Sequence, residues 1–469
     1  MKHLNTLLLL LAGTLTCFGQ QKRQEQQLDS IFTMMYNQNQ FNGTVLIAEK
    51  GKIIFKKGYG YSNEITKQYN NVQTQYELAS CSKQFTGAAI VLLKRAGKIN
   101  YEDKLSKYIP ELGFWDKVTI YDLLRHTSGI PEYFKMEQGW DKTKIATNKD
   151  VITYYTKEKD TLEFTPGSKH RYTNTNYILL ASIIEKISGK TYAEFLSQHI
   201  FKPLKMNNTF VYCSRLNPAN IKNYATGYVW AKTRFNKVTS DSPEYDDPSV
   251  RFFDGVVGAS KISSNVEDLY KWINALKNNT LFTQQEFNEM TAVTKTSTGK
   301  TIPYGFGFDV SKRENHFSFG HTGNWDGYIS FIYHNTIKDR TIIVLENFNL
   351  GTHPYENINE IIEGKSLTIE YKKKISIPED SIAKFTGTYV NEKETKENHI
   401  ITCQDGHLFY NTTRLKWDMR FFPVSANEFQ AIRQGGVDGV LKFTKLENGD
   451  TKLEMLEYGK VIGSGIRKN

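Results

Sequence analysis

The chain has 469 residues, with 60 lysines and arginines against 50 aspartates and glutamates, a formal net charge of +10. Single cores stop growing near about 250 to 300 residues, so one ordinary domain is excluded and two are expected. The basic balance favours anionic surroundings such as a cell-wall polymer, but Lys372-Lys373-Lys374 is the one lysine run, and without a basic and aromatic stripe no nucleic-acid partner is implied.

At the start of the chain, Lys2, the apolar run Leu7 to Leu11 and the small residues Cys17 and Gly19 give a charged end, a short apolar centre and a small-x-small exit. Residues 1–19 therefore read as a cleaved secretory signal. The apolar centre falls short of the roughly 20 residues that a spanning helix needs. The expected mature protein is exported, to the periplasm or beyond, with no transmembrane segment. Lipid attachment at Cys17 is the alternative, which Thr14, Leu15 and Thr16 disfavour. Past this segment Cys81, Cys213 and Cys403 are an odd set without short-range pairing, so no disulfide scaffold is expected.

Residues 22 to 40 read as a polar helix. Gly43 to Ala48 and Lys52 to Phe55 flank Glu49-Lys50-Gly51 as a hairpin. From Ser80 the period changes: Phe85, Ala89, Leu92 and Ala96 fall at helical spacing, with Gly97 as a stop. A long, mostly helical middle follows, its helix starts marked by the capping boxes Thr191-x-x-Glu194 and Ser264-x-x-Glu267. Strands return from about residue 303, with Tyr328 to Tyr333 and Thr341 to Leu345, and Tyr355 to Gly364 reads as a closing helix. This order predicts one sheet assembled from both ends of the segment, with helices packed on it. The lysine-rich stretch 371–380, containing Pro378, reads as a linker. Residues 381–469 alternate short β-rich runs with the turns Asp405-Gly406 and Asn448-Gly449, the pattern of a small all-β barrel or sandwich.

The chemistry is sought first in Leu78-Ala79-Ser80-Cys81-Ser82-Lys83. A serine hydroxyl needs a base within reach to act as a nucleophile, and on a helix positions i and i+3 share a face. Ser80 and Lys83 have that spacing, Ser82 does not, and Cys81 is turned away. The Ser-x-x-Lys motif occurs three times, at Ser80, Ser297 and Ser381. Only Ser80 opens an amphipathic helix, where a free backbone N–H and the positive end of the helix dipole would assist an oxyanion. A serine in front of a helix more often caps it, so partners are needed. Two stretches supply them: Tyr172-Thr173-Asn174, which leads into an apolar helix, and His321-Thr322-Gly323-Asn324, which precedes a strong strand. Tyr-x-Asn occurs six times in the chain, and a lone histidine in a turn is commonplace, so neither stretch decides anything by itself.

Taken in order, Ser80-Cys81-Ser82-Lys83, Tyr172-Thr173-Asn174 and His321-Thr322-Gly323 resemble the serine β-lactamase and penicillin-binding protein superfamily, in its class C β-lactamase-like branch. Leu123 to Ile130, Pro166-Gly167 and Tyr304-Gly305-Phe306-Gly307-Phe308 add to the resemblance, which covers about residues 41 to 347. It implies an α+β fold, with a mixed sheet flanked by helices and a helical subdomain, followed by the small β domain. The domains expected are 1–19 signal, 22–370 hydrolase, 371–380 linker and 381–469 barrel-like.

The resemblance also implies roles. Ser80 is the acylated nucleophile, Lys83 takes its proton, and Tyr172 shares the base role and protonates the leaving group. Asn174 holds a substrate amide, and the N–H groups of Ser80 and Asn324 form the oxyanion hole beside Gly323. His321 stands where many members have lysine, and being largely neutral at pH 7 it favours a peptidase or esterase over a dedicated β-lactamase. The stretch containing His126 is implied to be structural.

The expected function is an exported serine hydrolase acting on amide or ester bonds, including those of peptides with D-amino acids. A β-lactamase or penicillin-binding protein is the alternative within this class, and a catalytically silent binding protein the alternative outside it. The expected partner is a small-molecule or peptide substrate, with cell-wall peptide as one version. With no His-x-x-x-His pair and no carboxylate cluster at ligand spacing, no cofactor or metal is expected.

Overall fold

The computed structural model describes residues 22–231, 236–245, 247–348, 354–368, 372–392, 397–413, 419–433 and 437–468. The export segment 1–19, with Cys17, lies outside the described residues, as does residue 371 of the expected linker. One compact unit consists of the described residues of Gly43–Val229 and Thr239–Asn349, and the described remainder forms a second.

The first unit is built on a six-stranded antiparallel sheet in the order Asp309–Arg313, His316–Trp325, Tyr328–Asn335, Arg340–Glu346, Gly43–Glu49, Lys52–Tyr59. The expected hairpin closes Glu49 on Lys52 through Lys50 and Gly51, both at positive φ. That is the twist a two-residue turn needs. Val45 pairs with Val344, so strands from the two ends of the segment meet in mid-sheet as the strand pattern predicted. Leu46, Ile332, Ile343 and Leu345 on the sheet share one apolar core with Phe85, Ala89 and Ile90 of the helix Lys83–Arg95 and with Leu269, Trp272 and Ile273 of the helix Val266–Lys277. Their burial is the main force holding those helices, at about 1.5–3 kcal/mol for each large side chain fully buried.

The middle of the chain is less purely helical than its pattern predicts. It contributes Tyr76–Glu77, Ile262–Ser264 and Phe210–Val211 to a three-stranded sheet. This displaces one expected cap. Ser264 pairs with Tyr76 in the ladder, and its Oγ lies 2.7 Å from Thr209 Oγ1. The helix therefore starts one residue later, with Asn265 Oδ1 accepting from the N–H of Asp268 at 2.9 Å. Thr191 and Glu194 form the expected capping box.

The second unit contains a helix over residues 22–37, a helix Tyr355–Ile362, and a closed antiparallel barrel of eight strands running in chain order from Gly387–Asn391 to Lys460–Arg467. Closure decides between barrel and sandwich. Inward-facing Tyr389, Ile401, Leu408, Phe421, Phe429, Leu441 and Phe443 fill it, with Phe385 beneath. Within the stretch expected as linker, the N–H of Ile375 donates to Pro423 O at 2.9 Å, and Glu379–Ala383 is a short helix. Among the described residues no helix is long and apolar enough to cross a membrane.

Candidate active site

Two hydrogen bonds fix the approach to Ser80. The N–H of Leu78 donates to Ile262 O at 2.8 Å, and Leu78 O accepts from Ser330 Oγ at 2.6 Å. The backbone then passes through Ala79 at φ +47°, a left-handed conformation that costs a residue with a side chain about 1–3 kcal/mol. Ala79–Ser82 form a single 3-10 turn leading into the α-helix Lys83–Arg95. At three residues per turn, positions i and i+3 eclipse, so Ser80 and Lys83 face one side more directly than the α-helical spacing predicted. Ser80 is half-buried, and Lys83 is fully buried.

Lys83 Nζ lies 3.0 Å from Ser80 Oγ, 2.8 Å from Asn174 Oδ1 and 2.9 Å from Ala259 O. Burial lowers its pKa to about 7, against the opposing charge of Glu132. The Glu132 carboxylate opposes that shift, and desolvation carries it. Two of the three partners can only accept hydrogen bonds, whereas a serine hydroxyl can also donate. The neutral amine therefore gives its two N–H groups to Asn174 and Ala259, and its lone pair faces the one partner with a proton to give, Ser80.

Tyr172 completes the group, its hydroxyl donating to Ser80 Oγ at 2.9 Å. The residue is 38% exposed, but desolvation pushes the phenol well above its usual range. It rests as a neutral donor, so of the two groups at Ser80 Oγ the Lys83 amine is the one with a lone pair to offer. His126 grips the backbone on both sides of Tyr172: its carbonyl accepts from the N–H of Arg171 at 2.9 Å, and its Nδ1 accepts from the N–H of Thr173 at 3.3 Å. This is the structural part that the resemblance implied.

The other residues of the opening motif sort by contact. Ser82 Oγ accepts from the N–H of Ile262 at 3.1 Å, and Cys81 Sγ donates to His321 O at 3.1 Å, its thiol pushed up to about 12 by burial. Neither is poised to react.

His321, Gly323 and Asn324 lie on the strand His316–Trp325. A Cβ at Gly323 would sit 2.4 Å from Leu78 O, 2.4 Å from Ser330 Oγ and 3.0 Å from Ser80 N. Only glycine lets this strand lie against the backbone of Ser80. His321 is buried, which lowers its pKa. Its Nδ1 must donate to Thr322 O, 2.5 Å away, so its Nε2 accepts from the Tyr304 hydroxyl at 2.9 Å. The imidazole is neutral, with both nitrogens engaged inside the protein, and supplies no cation to a substrate.

Sequence reasoning missed Ala259, Glu132 and a buried ion cluster. Lys261, fully buried, lies 2.9 Å from both Glu77 and Asp254, and Arg215 pairs with Asp326 at 2.6 Å. Burial works against the charge of Lys261, yet the three carboxylates hold its pKa well above the usual lysine range. The cluster anchors the loop two residues beyond the carbonyl that receives Lys83.

Comparison with known proteins places the chain beside a family, a curated relative and solved structures. A family model described as Beta-lactamase matches residues 25–363. The chain is 32% identical over 419 residues to Penicillin-binding protein 4* of Bacillus subtilis (strain 168), covering 87% of this chain and 92% of that relative. In fold, it resembles the octameric penicillin-binding protein homologue from Pyrococcus abyssi, with TM-score 0.63 at 22% identity over 94% of this chain and 99% of that one. D-amino acid amidase from Ochrobactrum anthropi SV3 follows, with TM-score 0.53 at 21% identity over 68% and 91%.

Proposed function

Because the chain belongs to the beta-lactamase family of serine hydrolases, we propose that it cleaves amide or ester bonds through an acyl-enzyme on Ser80, acting as a D-peptidase or esterase. The observation that carries this reading is the three-way contact at Ser80 Oγ, with the Lys83 amine at 3.0 Å and the Tyr172 hydroxyl at 2.9 Å.

In the first half-reaction the serine proton passes to Lys83 Nζ as Oγ bonds to the carbonyl carbon. The leaving nitrogen or oxygen takes the Tyr172 proton as its bond to that carbon breaks, and Lys83 returns a proton to the phenol. In the second, water bonds to the acyl carbon and gives a proton to the same pair, the bond from that carbon to Oγ breaks, and Oγ takes the proton back as the acid leaves. Such proton transfers contribute roughly 10²- to 10⁴-fold in rate. The neutral His321 supports substrates without a carboxylate that demands a fixed cation at that place, as in esters and internal peptide bonds. Peptides containing D-amino acids, those of the cell wall included, are the proposed class, and the fold likeness to a D-amino acid amidase is in keeping with it. Export, to the periplasm or outside the cell, belongs to the same proposal.

The 32% identity to a penicillin-binding protein favours a second reading, in which a penicillin acylates Ser80. A panel of D-peptides, short esters and nitrocefin, run on the wild type and on Ser80→Ala, separates the two. Turnover of D-peptides or esters that Ser80→Ala abolishes supports the first reading, and nitrocefin turnover alone supports the second. Turnover that survives in Ser80→Ala overturns both.

A further inference from the structure

We infer that Glu132 is a positioning residue that selects the orientation of the Asn174 amide and thereby aims the Lys83 amine at Ser80. The inference rests on the acyl-enzyme reading above.

One oxygen of Glu132, Oε2, accepts from the backbone N–H of Asn174 at 2.8 Å and from its Nδ2 at 3.1 Å; the other, Oε1, accepts from the N–H of Tyr133 at 3.1 Å. Three donors converge on its two oxygens, the pattern that a carboxylate, which only accepts, answers best. Desolvation raises the Glu132 pKa, while these N–H groups and Lys83 hold it down. Because the carboxylate can only accept, the amide must turn Nδ2 towards it, and Oδ1 is left facing Lys83 Nζ at 2.8 Å. The opposite rotamer would set Oδ1 against a carboxylate oxygen and point an N–H at the lysine. A neutral Lys83 would then spend its lone pair on Asn174 and turn an N–H towards Ser80, which removes the base. One half-buried carboxylate, six residues beyond His126 in sequence and hydrogen-bonded to no reacting atom, thus decides which partner the amine deprotonates.

Glu132 also bears on the charge of Lys83. The titratable groups that face Lys83 are Glu132, Cys81, Asp309 and the rings of Tyr172 and Tyr177, with His126 and His321 feeling its charge. Around Glu132 itself the titratable groups are Lys83, Tyr133, Tyr155 and Tyr172. In that set Glu132 is the carboxylate that favours the ammonium most.

The test is the rate at which a fluorophosphonate modifies Ser80, followed against pH in the full chain. In that reaction Oγ bonds to phosphorus, fluoride leaves and the serine proton goes to Lys83. Glu132→Gln is expected to slow it about 10²-fold, as a misaimed group does, and to move the acidic limb of the pH profile down by about one pH unit, since an opposing charge is gone. Glu132→Asp keeps the charge but not the reach, so it is expected to slow the reaction and leave the limb in place. A purely structural role would lower the unfolding temperature without separating the two limbs. If the Gln variant does not fold, the Asp variant decides on rate. Wild-type rates in the variants, or a limb that fails to move down in Glu132→Gln, overturn the inference while labelling of the wild type upholds the acyl-enzyme reading. A wild type that is not labelled at Ser80 overturns both.

Discussion

Replacing Lys83 by methionine is expected to stabilise the protein in mild acid and to destabilise it in alkali. Lys83 is fully buried, and its pKa is lowered to about 7 from a usual value of about 10.4. Between those values the unfolded chain holds a proton that the folded chain has released, so wild-type stability rises with pH at about 1.4 kcal/mol per pH unit. From pH 7 to 9 this lysine should contribute a rise of about 3 kcal/mol that a methionine cannot give. Below pH 7 the folded wild type carries a charge in an apolar setting, a cost of about 5 kcal/mol relative to alkali. Methionine removes that cost but leaves Asn174 Oδ1 and Ala259 O without their donor, at about 1–3 kcal/mol for each orphaned acceptor. With both acceptors near the middle of that range the net gain at pH 6 is about 1 kcal/mol, and the two stability curves should cross near pH 8. Urea unfolding of both proteins across pH 6 to 9 measures this. Parallel curves would mean that Lys83 titrates as an ordinary lysine, and the aimed lone pair would lose its basis.

Tyr172→Phe removes the donor to Ser80 Oγ, and steady-state kinetics should show a loss of roughly 10²- to 10⁴-fold on amides. The loss should be smaller on esters of acidic alcohols, whose leaving groups need no proton; an equal loss on both would deny Tyr172 that task. At Gly323 the added methyl of Gly323→Ala would meet Leu78 O and Ser330 Oγ, each at 2.4 Å. Thermal unfolding should reveal a cost of about 1–3 kcal/mol, accompanied by slower modification of Ser80; wild-type behaviour would show that the strand does not press on the nucleophile. Glu346 is fully buried in the strand Arg340–Glu346, and among the described residues neither of its oxygens has a hydrogen-bond partner; burial raises its pKa well above the usual range. From about pH 4.3 up to that raised value the unfolded chain is ionised and the folded chain is not, so this residue makes stability fall as pH rises. Glu346→Gln should therefore gain on the wild type by about 1.4 kcal/mol per pH unit in that window, and denaturation curves with the same pH slope would contradict it.

The strands and helices were legible where a single period ran uninterrupted, as in Tyr328 to Tyr333 on the sheet or Phe85 to Ala96 on the nucleophile helix. Ser264 misled because serine, asparagine and their downstream acids all satisfy the capping pattern, and only the ladder to Tyr76 moves the helix start to Asn265. Barrel closure depends on pairing Gly387–Asn391 with Lys460–Arg467, a long-range contact that alternation alone does not encode. At the site, Ser80 and Lys83 share a readable spacing that recurs twice elsewhere in the chain, and Tyr172 and His321 are picked out by the family resemblance of the motifs taken in order. The Ala259 carbonyl has no residue signature at all. Glu132 is one carboxylate among fifty acidic residues, picked out only when folding brings it against Asn174. The change from α to 3-10 geometry at Ala79–Ser82, which brings Ser80 and Lys83 onto one side, is likewise set by tertiary bonds at Leu78.

Intact-mass analysis after exposure to a fluorophosphonate or a penicillin, with peptide mapping of the adduct, tests the acyl-enzyme on Ser80 most directly. One covalent adduct per chain is expected, located at Ser80 and lost in Ser80→Ala. An unmodified wild type, or an equal adduct on Ser80→Ala, would contradict it.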